Sequence, residues 1–197
     1  MQSILETHRL RLTPLTEADG ELLVTLDHDP GVMRFLDGGT PPSRARIFGE
    51  ILPSLIHRAA CFPGFGHWIA TEKSSGTFVG WFEFRPEEDG DPREAELGYR
   101  LRTAAWGRGY ATEGSRALIR AGFTGLGVRR AFATTMAVNL ASRRVMEKAG
   151  LTYVRTVHDE YPVYVEGAEH GDVEYAVLHA EWSEGRDTGP GPRTRHN

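Results

Sequence analysis

Apolar and polar residues change period several times along the 197-residue chain. In residues 8–15, Leu10 and Leu12 alternate with Arg9 and Arg11, the period-2 pattern of a half-buried strand. Thr16 suits the N-cap of a helix over residues 17–26, which Pro30 stops. A short helical turn is expected over 31–35. Ser43 caps a longer helix to about Ala60, with Pro53 bending it. Three strand-like stretches follow, 67–72, 77–85 and 95–102. Ser74-Ser75-Gly76 and Glu88-Asp89-Gly90-Asp91-Pro92 supply the turns between them. Such short loops predict an antiparallel meander. Next come a helix over 112–125, a strand over 130–136, and a helix from Asn139 to Ala149. Gly150 stands where a left-handed C-cap residue is wanted. Residues 153–157 and 173–180 read as two last strands. The predicted architecture is α/β, a mixed, mostly antiparallel seven-stranded sheet with helices on both faces. One domain is expected over residues 1–182. Residues 183–197 lack apolar periodicity and are rich in Gly, Pro and charge, so they read as a disordered tail.

Composition narrows the function classes. With 40% apolar and 25% charged residues, the chain can bury a sizeable core. No apolar run is long enough to cross a bilayer. The opening MQSILETHRLRL is too polar for a secretory signal, so a cytoplasmic protein without membrane partners is expected. The single cysteine, Cys61, forms neither an internal disulfide nor a metal site by itself. The histidines are scattered, with no spacing that suggests a metal or a triad, so no metal is expected. Net charge is −4 and no Lys/Arg-rich run exists, which argues against nucleic-acid binding. Lys73 and Lys148 are the only lysines, and this arginine bias suggests a GC-rich bacterial genome.

Residues 97–114 are the most informative stretch. A strand ends near Arg102, a turn holds Gly107 and Gly109, and a helix begins near Ala111. The first N–H groups of a helix lack intrahelical partners, and the helix dipole makes that end partly positive. Glycines let the backbone approach phosphate oxygens closely. A plain strand-to-helix corner explains a bare Gly-x-Gly equally well. A Walker loop needs Gly-Lys-Ser/Thr, which is absent. A dinucleotide fingerprint needs a third Gly or Ala where Thr112 stands, and an acidic residue where Thr134 and Thr135 stand.

Trp106-Gly107-Arg108-Gly109-Tyr110-Ala111-Thr112-Glu113 resembles the acetyl-CoA pyrophosphate loop of GNAT acetyltransferases. The family pattern is Gln/Arg-x-x-Gly-x-Gly/Ala. Gly109 and Ala111 match its last two fixed places, and Trp106 occupies the usual Gln/Arg place. The Trp-Gly-x-Gly-Tyr-Ala spelling is similar to the RimJ/RimL-type subgroup, which acetylates protein N-termini. The resemblance implies acetyl-CoA as co-substrate, with its pyrophosphate on the backbone amides of Trp106, Gly107, Arg108, Gly109, Tyr110, Ala111 and Thr112. It also implies that the strand end near Leu101 and Arg102 pairs with the pantetheine arm. Arg108 either adds charge toward phosphate or is simply solvated. A dimer is common in the family. The resemblance extends from about His8 to Trp182, while its two specific motifs cover only residues 97–151.

The second motif, Asn139-Leu-Ala-Ser142-Arg143-Arg144-Val-Met146-Glu-Lys-Ala-Gly150-Leu, resembles the family's Asn-x-x-Ser/Ala…Lys-x-Gly-Phe. Capping alone accounts for Asn139 and Gly150. Helical geometry gathers Ala141, Val145, Met146 and Ala149 on an apolar face, with Ser142 inside it. A buried serine needs a hydrogen-bond partner. It either bonds back to a carbonyl one turn earlier or aims its hydroxyl at the thioester sulfur. Arg144 and Lys148 point to solvent, and Arg143 lies on the Asn139 side, within reach of a coenzyme phosphate. The family often places a tyrosine general acid where Met146 stands. A thioether cannot protonate a thiolate, which shifts that role to Ser142 or water.

Acetyl transfer needs a neutral amine. A lysine-like amine, with pKa near 10.4, is almost fully protonated at pH 7, whereas an α-amine near 7.7–8.0 is partly neutral, so a carboxylate base suffices for it. Glu96 is the best candidate. It shares a strand face with Gly98 and Arg100, while Leu97, Tyr99 and Leu101 take the other face. A salt bridge with Arg100 or Arg85 is the plainer explanation of Glu96. Glu83 is a weaker candidate on the neighbouring strand. The expected function is acetyl-CoA-dependent N-acetylation of a primary amine, foremost an α-amine at a protein or peptide N-terminus. A non-catalytic coenzyme-A sensor and a small-molecule acetyltransferase are the alternatives. Specificity should come from residues 31–61 and 158–171. The latter loop and its edge bring acidic residues Asp159, Glu160, Glu166, Glu169 and Asp172, which would favour a cationic acceptor and are equally explained as a solvated loop.

Overall fold

The structure is a computed structural model that describes residues 4–36, 41–87, 90–158 and 165–182. The expected tail, and Asp159 and Glu160 of the acidic loop, lie outside these residues. Eight strands form one sheet. They are β1 (Leu5–Glu6), β2 (Leu10–Pro14), β3 (Gly66–Glu72), β4 (Phe78–Arg85), β5 (Glu94–Leu101), β6 (Arg130–Met136), β7 (Thr152–Val157) and β8 (Asp172–Leu178). Their order is β1-β2-β3-β4-β5-β6-β8-β7. Seven of them match the expected ones. The eighth, β1, is two residues long, too short for an alternating pattern to announce it.

Every neighbouring pair is antiparallel except β5 and β6. A parallel neighbour needs a long crossover, and helix α5 (Tyr110–Gly125) supplies it. The parallel pairing is brief: Glu94 faces Arg130, Ala95 faces Ala131 and Glu96 faces Phe132. Beyond Glu96 the two strands part, and residues 97–101 of β5 and 133–136 of β6 run on without pairing to each other.

Helices cover both faces. Helix α5 and helix α6 (Leu140–Ala149) pack Leu118, Ile119, Phe123, Met146 and Ala149 against Trp68, Phe82, Phe84 and Leu97 of the sheet. On the other face lie α1 (Gly20–Asp27), α2 (Pro30–Met33), α3 (Arg44–Arg46) and α4 (Leu52–Cys61). Leu23, Ile47 and Leu52 from that side close over Leu15, Ile69 and Trp81. Thr16 begins a short 3-10 turn, where its N–H donates to the Asp19 carboxylate at 2.8 Å, before α1 starts. Ser43 caps α3 as expected, its Oγ accepting from the Arg46 N–H. Pro53 does more than bend the helix that follows. Residues 47–51 form a π-helical turn directly before it. Proline lacks the N–H that would continue the α-helical ladder, and a wider turn absorbs the mismatch.

At the C-terminal end, β8 stops at Leu178, two residues before the expected end. Residues 179–182 turn helical, and the His179 and Trp182 rings meet Phe123 edge-on at 5.3 Å. Among the described residues, no helix is long and apolar enough to cross a membrane.

Phe82 is fully buried in the larger core, 6.2 Å from the Tyr99 ring. Phe82→Ala is expected to lower the unfolding free energy by about 3–5 kcal/mol, read by denaturant titration.

Candidate active site

Strand β5 ends at Leu101, and a 3-10 turn (Thr103–Ala105) leads to the glycines. Gly107 and Gly109 have φ of 71° and 81°, the left-handed region that a side chain disfavours. Gly109 is the N-cap of α5. The first intrahelical bond runs from the Glu113 N–H to the Gly109 carbonyl, at 3.1 Å. The amides of Tyr110, Ala111 and Thr112 therefore precede the helical ladder and form a positive terminus.

Two guanidiniums brace this corner. Arg9 and Arg108 lie over the Tyr110 ring, 4.6 and 4.8 Å from its centroid, and the Tyr110 hydroxyl donates to Glu72. Arg108 also pairs with Glu72 at 3.0 Å while its side chain stays half-exposed. Arg9 donates to the Arg108 carbonyl and pairs with Glu113 at 2.7 Å. Glu113 further accepts from Thr7 at 2.6 Å. Sequence reading missed Arg9, because alternation marks it only as a solvent-side residue, and no local pattern links it to position 113.

The indole N–H of Trp106 donates to the Leu101 carbonyl at 2.8 Å, while the ring stays 52% exposed. The Arg102 N–H is bound to the Val79 carbonyl. The Leu101 carbonyl and the Arg102 N–H each thus have an internal partner. The strand edge that lacks a β6 partner begins earlier, after Glu96.

The start of α6 lies across that gap. The Asn139 side chain caps the helix, its Oδ1 accepting from the Ser142 N–H at 3.2 Å and its Nδ2 donating to Thr135. The Ser142 Oγ is 2.9 Å from the Tyr99 hydroxyl, which also has the Ser142 carbonyl within reach as an acceptor, at 3.1 Å. The backbone bond one turn earlier, weighed from sequence, is replaced by this contact with β5. Burial pushes the Tyr99 phenol up to about 12. Arg143 donates to the Tyr175 hydroxyl at 3.2 Å and to the Ala137 carbonyl at 3.0 Å, so it is turned inward. Met146 and Ala149 are buried as the helical periodicity requires, whereas Ala141 is exposed.

On the opposite face a row of charged residues crosses the sheet. His67 Nε2 meets Glu83 at 2.9 Å, Arg85 meets Glu83 at 3.0 Å, and Arg85 meets Glu96 at 3.3 Å. Thr134 Oγ1 donates to Glu96 at 3.3 Å. Farther along, Glu174 pairs with Arg130 and Arg155. Arg85 is therefore the ion partner of Glu96. Arg100 pairs instead with the buried Asp27, at 2.8 Å. Gly98 is needed here because a Cβ would stand 2.3 Å from Glu83 Oε1.

The two carboxylates titrate apart. Burial and the neighbouring Glu83 charge raise Glu96 above its ordinary range, against the pull of Arg85. Burial alone would also raise Glu83, but the hydrogen bond and charge of His67, together with Arg85, overcome it and hold Glu83 at about 2. Among the described residues, no group of three or more His, Cys, Asp or Glu could hold a metal ion.

Because the folded Glu83 pKa lies below its ordinary 4.5, its contribution to stability is present above pH 4.5 and is lost as pH falls from there toward 2. Thermal unfolding followed from pH 6 down to pH 2 is expected to show a smaller fall for Glu83→Gln than for the native chain.

Comparison with known proteins agrees with this geometry. Residues 9–152 match the family model for the acetyltransferase (GNAT) domain. The chain is 35% identical over 187 residues to the FsC-acetyl coenzyme A-N(2)-transacetylase of Aspergillus fumigatus, covering 92% of this chain and 78% of that protein. Among solved structures, a GNAT-family acetyltransferase from Bacillus anthracis superposes with a TM-score of 0.75 at 19% identity, covering 91% of this chain and all of the other. RimL, a ribosomal L7/L12 alpha-N-protein acetyltransferase in complex with coenzyme A, gives 0.74 at 19% identity, with 89% and 98% covered. The glycine corner, the parted strands and these matches lead to one conclusion: the chain belongs to the GNAT acetyltransferase family and is an acetyl-CoA-dependent N-acetyltransferase.

Proposed function

We propose that the acceptor is an α-type primary amine on a small molecule, which attacks the acetyl thioester directly in a ternary complex. The observation that carries this is the place of Glu96, the last β5 residue paired with β6, on the sheet face opposite α5 and α6. Donor and acceptor then approach the parting of the strands from opposite faces. The acetyl-CoA pyrophosphate lies on the amides of Tyr110, Ala111 and Thr112. The amine comes up beside Glu96. Burial makes that carboxylate a better base than an exposed one, and an α-amine needs little help to lose its proton. Attack forms the C–N bond and breaks the C–S bond. Glu96 takes the amine proton, directly or through one water. The thiolate departs on the α6 side, near Ser142 and the positive end of that helix.

The small-molecule acceptor rests on the 35% identity to an N(2)-transacetylase, over nearly the whole chain. A protein N-terminus is the second reading. It rests on the Trp-Gly-x-Gly-Tyr-Ala spelling and on a RimL likeness of 19% identity, which speaks to fold alone.

Thiol release from acetyl-CoA should be followed over a panel of α-amino amides, Nα-blocked lysine derivatives and short peptides. Turnover on the α-amino amides with none on blocked lysine supports the proposal, and turnover confined to peptides moves it to the second reading. In calorimetry, Gly109→Val is expected to weaken acetyl-CoA binding at least about tenfold, since a left-handed β-branched residue strains the corner and its side chain intrudes on the cradle. Glu96→Gln is expected to lower kcat/KM by about 10²–10⁴. In the native enzyme the rate should rise with pH as Glu96 ionises, along a limb above the ordinary carboxylate pKa of 4.5. That limb should vanish in the variant.

A further inference from the structure

The Tyr99 hydroxyl contacts a candidate catalytic group, although the sequence motifs give Tyr99 itself no role. Tyr99 lies on β5 beyond the last residue paired with β6, on the face toward α5 and α6. Its hydroxyl crosses the gap to α6 and stops 2.9 Å from Ser142 Oγ. Among the described residues, no other side chain is hydrogen-bonded to that Oγ.

Hydrogen bookkeeping then constrains the pair. A phenol and an alcohol each have one hydrogen to donate. The Ser142 carbonyl is the other acceptor within reach of Tyr99, at 3.1 Å. That carbonyl belongs to the α-helical ladder, where Met146 lies four residues on. That carbonyl keeps a second lone pair, so distance decides, and the phenol hydrogen is assigned to Ser142 Oγ, the shorter contact at 2.9 Å. Ser142 is then left with its own hydrogen free to point elsewhere, into the opening between β5 and β6.

The geometry points to Tyr99 as a positioning residue that turns the Ser142 O–H toward the departing sulfur. This rests on the reading that the thiolate leaves on the α6 side. Tyr99 donates to Ser142, which strengthens the hydrogen bond that Ser142 donates in turn. Neither hydroxyl gives up its proton. The C–S electron pair goes to sulfur, the thiolate leaves hydrogen-bonded to Ser142, and solvent protonates it. The buried phenol, held at about 12, stays neutral throughout the working range and suits this task better than proton transfer. The arrangement also gives the stabilising role at Met146 a replacement, since that thioether is buried in the core and donates nothing.

The test uses the full chain, acetyl-CoA, and whichever amine the native enzyme turns over best, so the result does not depend on the acceptor proposed above. Tyr99→Phe keeps the ring and its packing against Phe82. It is expected to lower kcat about tenfold while leaving the acetyl-CoA KM and the calorimetric Kd unchanged. Ser142→Ala should do the same, and the double variant should be no slower than Ser142→Ala alone, because the two hydroxyls act as one unit. An unchanged kcat in Tyr99→Phe overturns the inference. So does a loss that adds to that of Ser142→Ala, or one that falls on acetyl-CoA binding alone. Ser142→Thr, made with Tyr99 intact, covers the case in which the Tyr99→Phe chain does not fold. It keeps a hydroxyl and should retain most of kcat, and a fall to the Ser142→Ala level likewise overturns the pair. An enzyme that turns over amines but no α-amine contradicts the acceptor reading and leaves the Tyr99 result to stand separately.

Discussion

The parallel pairing of β5 with β6 closes for three residues and then fails. Glu96, Tyr99 and Ser142 all lie around that failure. In a continuous sheet the edge of β5 would be consumed by ladder hydrogen bonds and both faces would be sealed from each other. Parted strands instead leave a gap in the ladder, with residues 97–101 of β5 and 133–136 of β6 unpaired to each other. The gap persists because each side is anchored elsewhere: residues 96–101 of β5 to β4, and β6 along its length to β8. Side chains make the contact across it, Tyr99 to Ser142.

Opposite chemistries sit on the two faces of the sheet at that gap. On the side of α5 and α6 are the positive ends of two helices and two hydroxyls, an environment for phosphate and for a leaving thiolate. On the other side, Glu83, Arg85 and Glu96 share one guanidinium between two carboxylates. Like charges so close cannot be equally stable as anions, and His67 decides the outcome by stabilising Glu83. Glu96 is left as the carboxylate with the higher proton affinity, next to the opening. The higher proton affinity of Glu96 thus depends partly on a histidine two strands away.

Much of the frame was legible in the sequence because it depends on local physics. The alternation of Leu10 and Leu12 with arginines, the Asn139 cap and the left-handed Gly150 each follow from a few neighbouring residues. The glycine corner was legible for the same reason, as was the likeness of both motifs to GNAT acetyltransferases. Less local features came out differently. The short β1 needs β2 beside it to exist. A π-helical turn precedes Pro53, and β8 yields to a helical turn where Trp182 finds Phe123.

By itself, then, the sequence determined the order of elements, the phosphate corner and the two residues, Glu96 and Ser142, around which a mechanism can be built. Only the tertiary structure decided their partners. Arg85 rather than Arg100 meets Glu96, Arg9 braces a helix more than a hundred residues later, and Tyr99 rather than a backbone carbonyl meets Ser142. The physical reason is common to all three. Periodicity tells which face a side chain takes, because the chain's own geometry sets it. Which atom waits on that face depends on strand register and helix placement, which long-range packing fixes and no local pattern encodes.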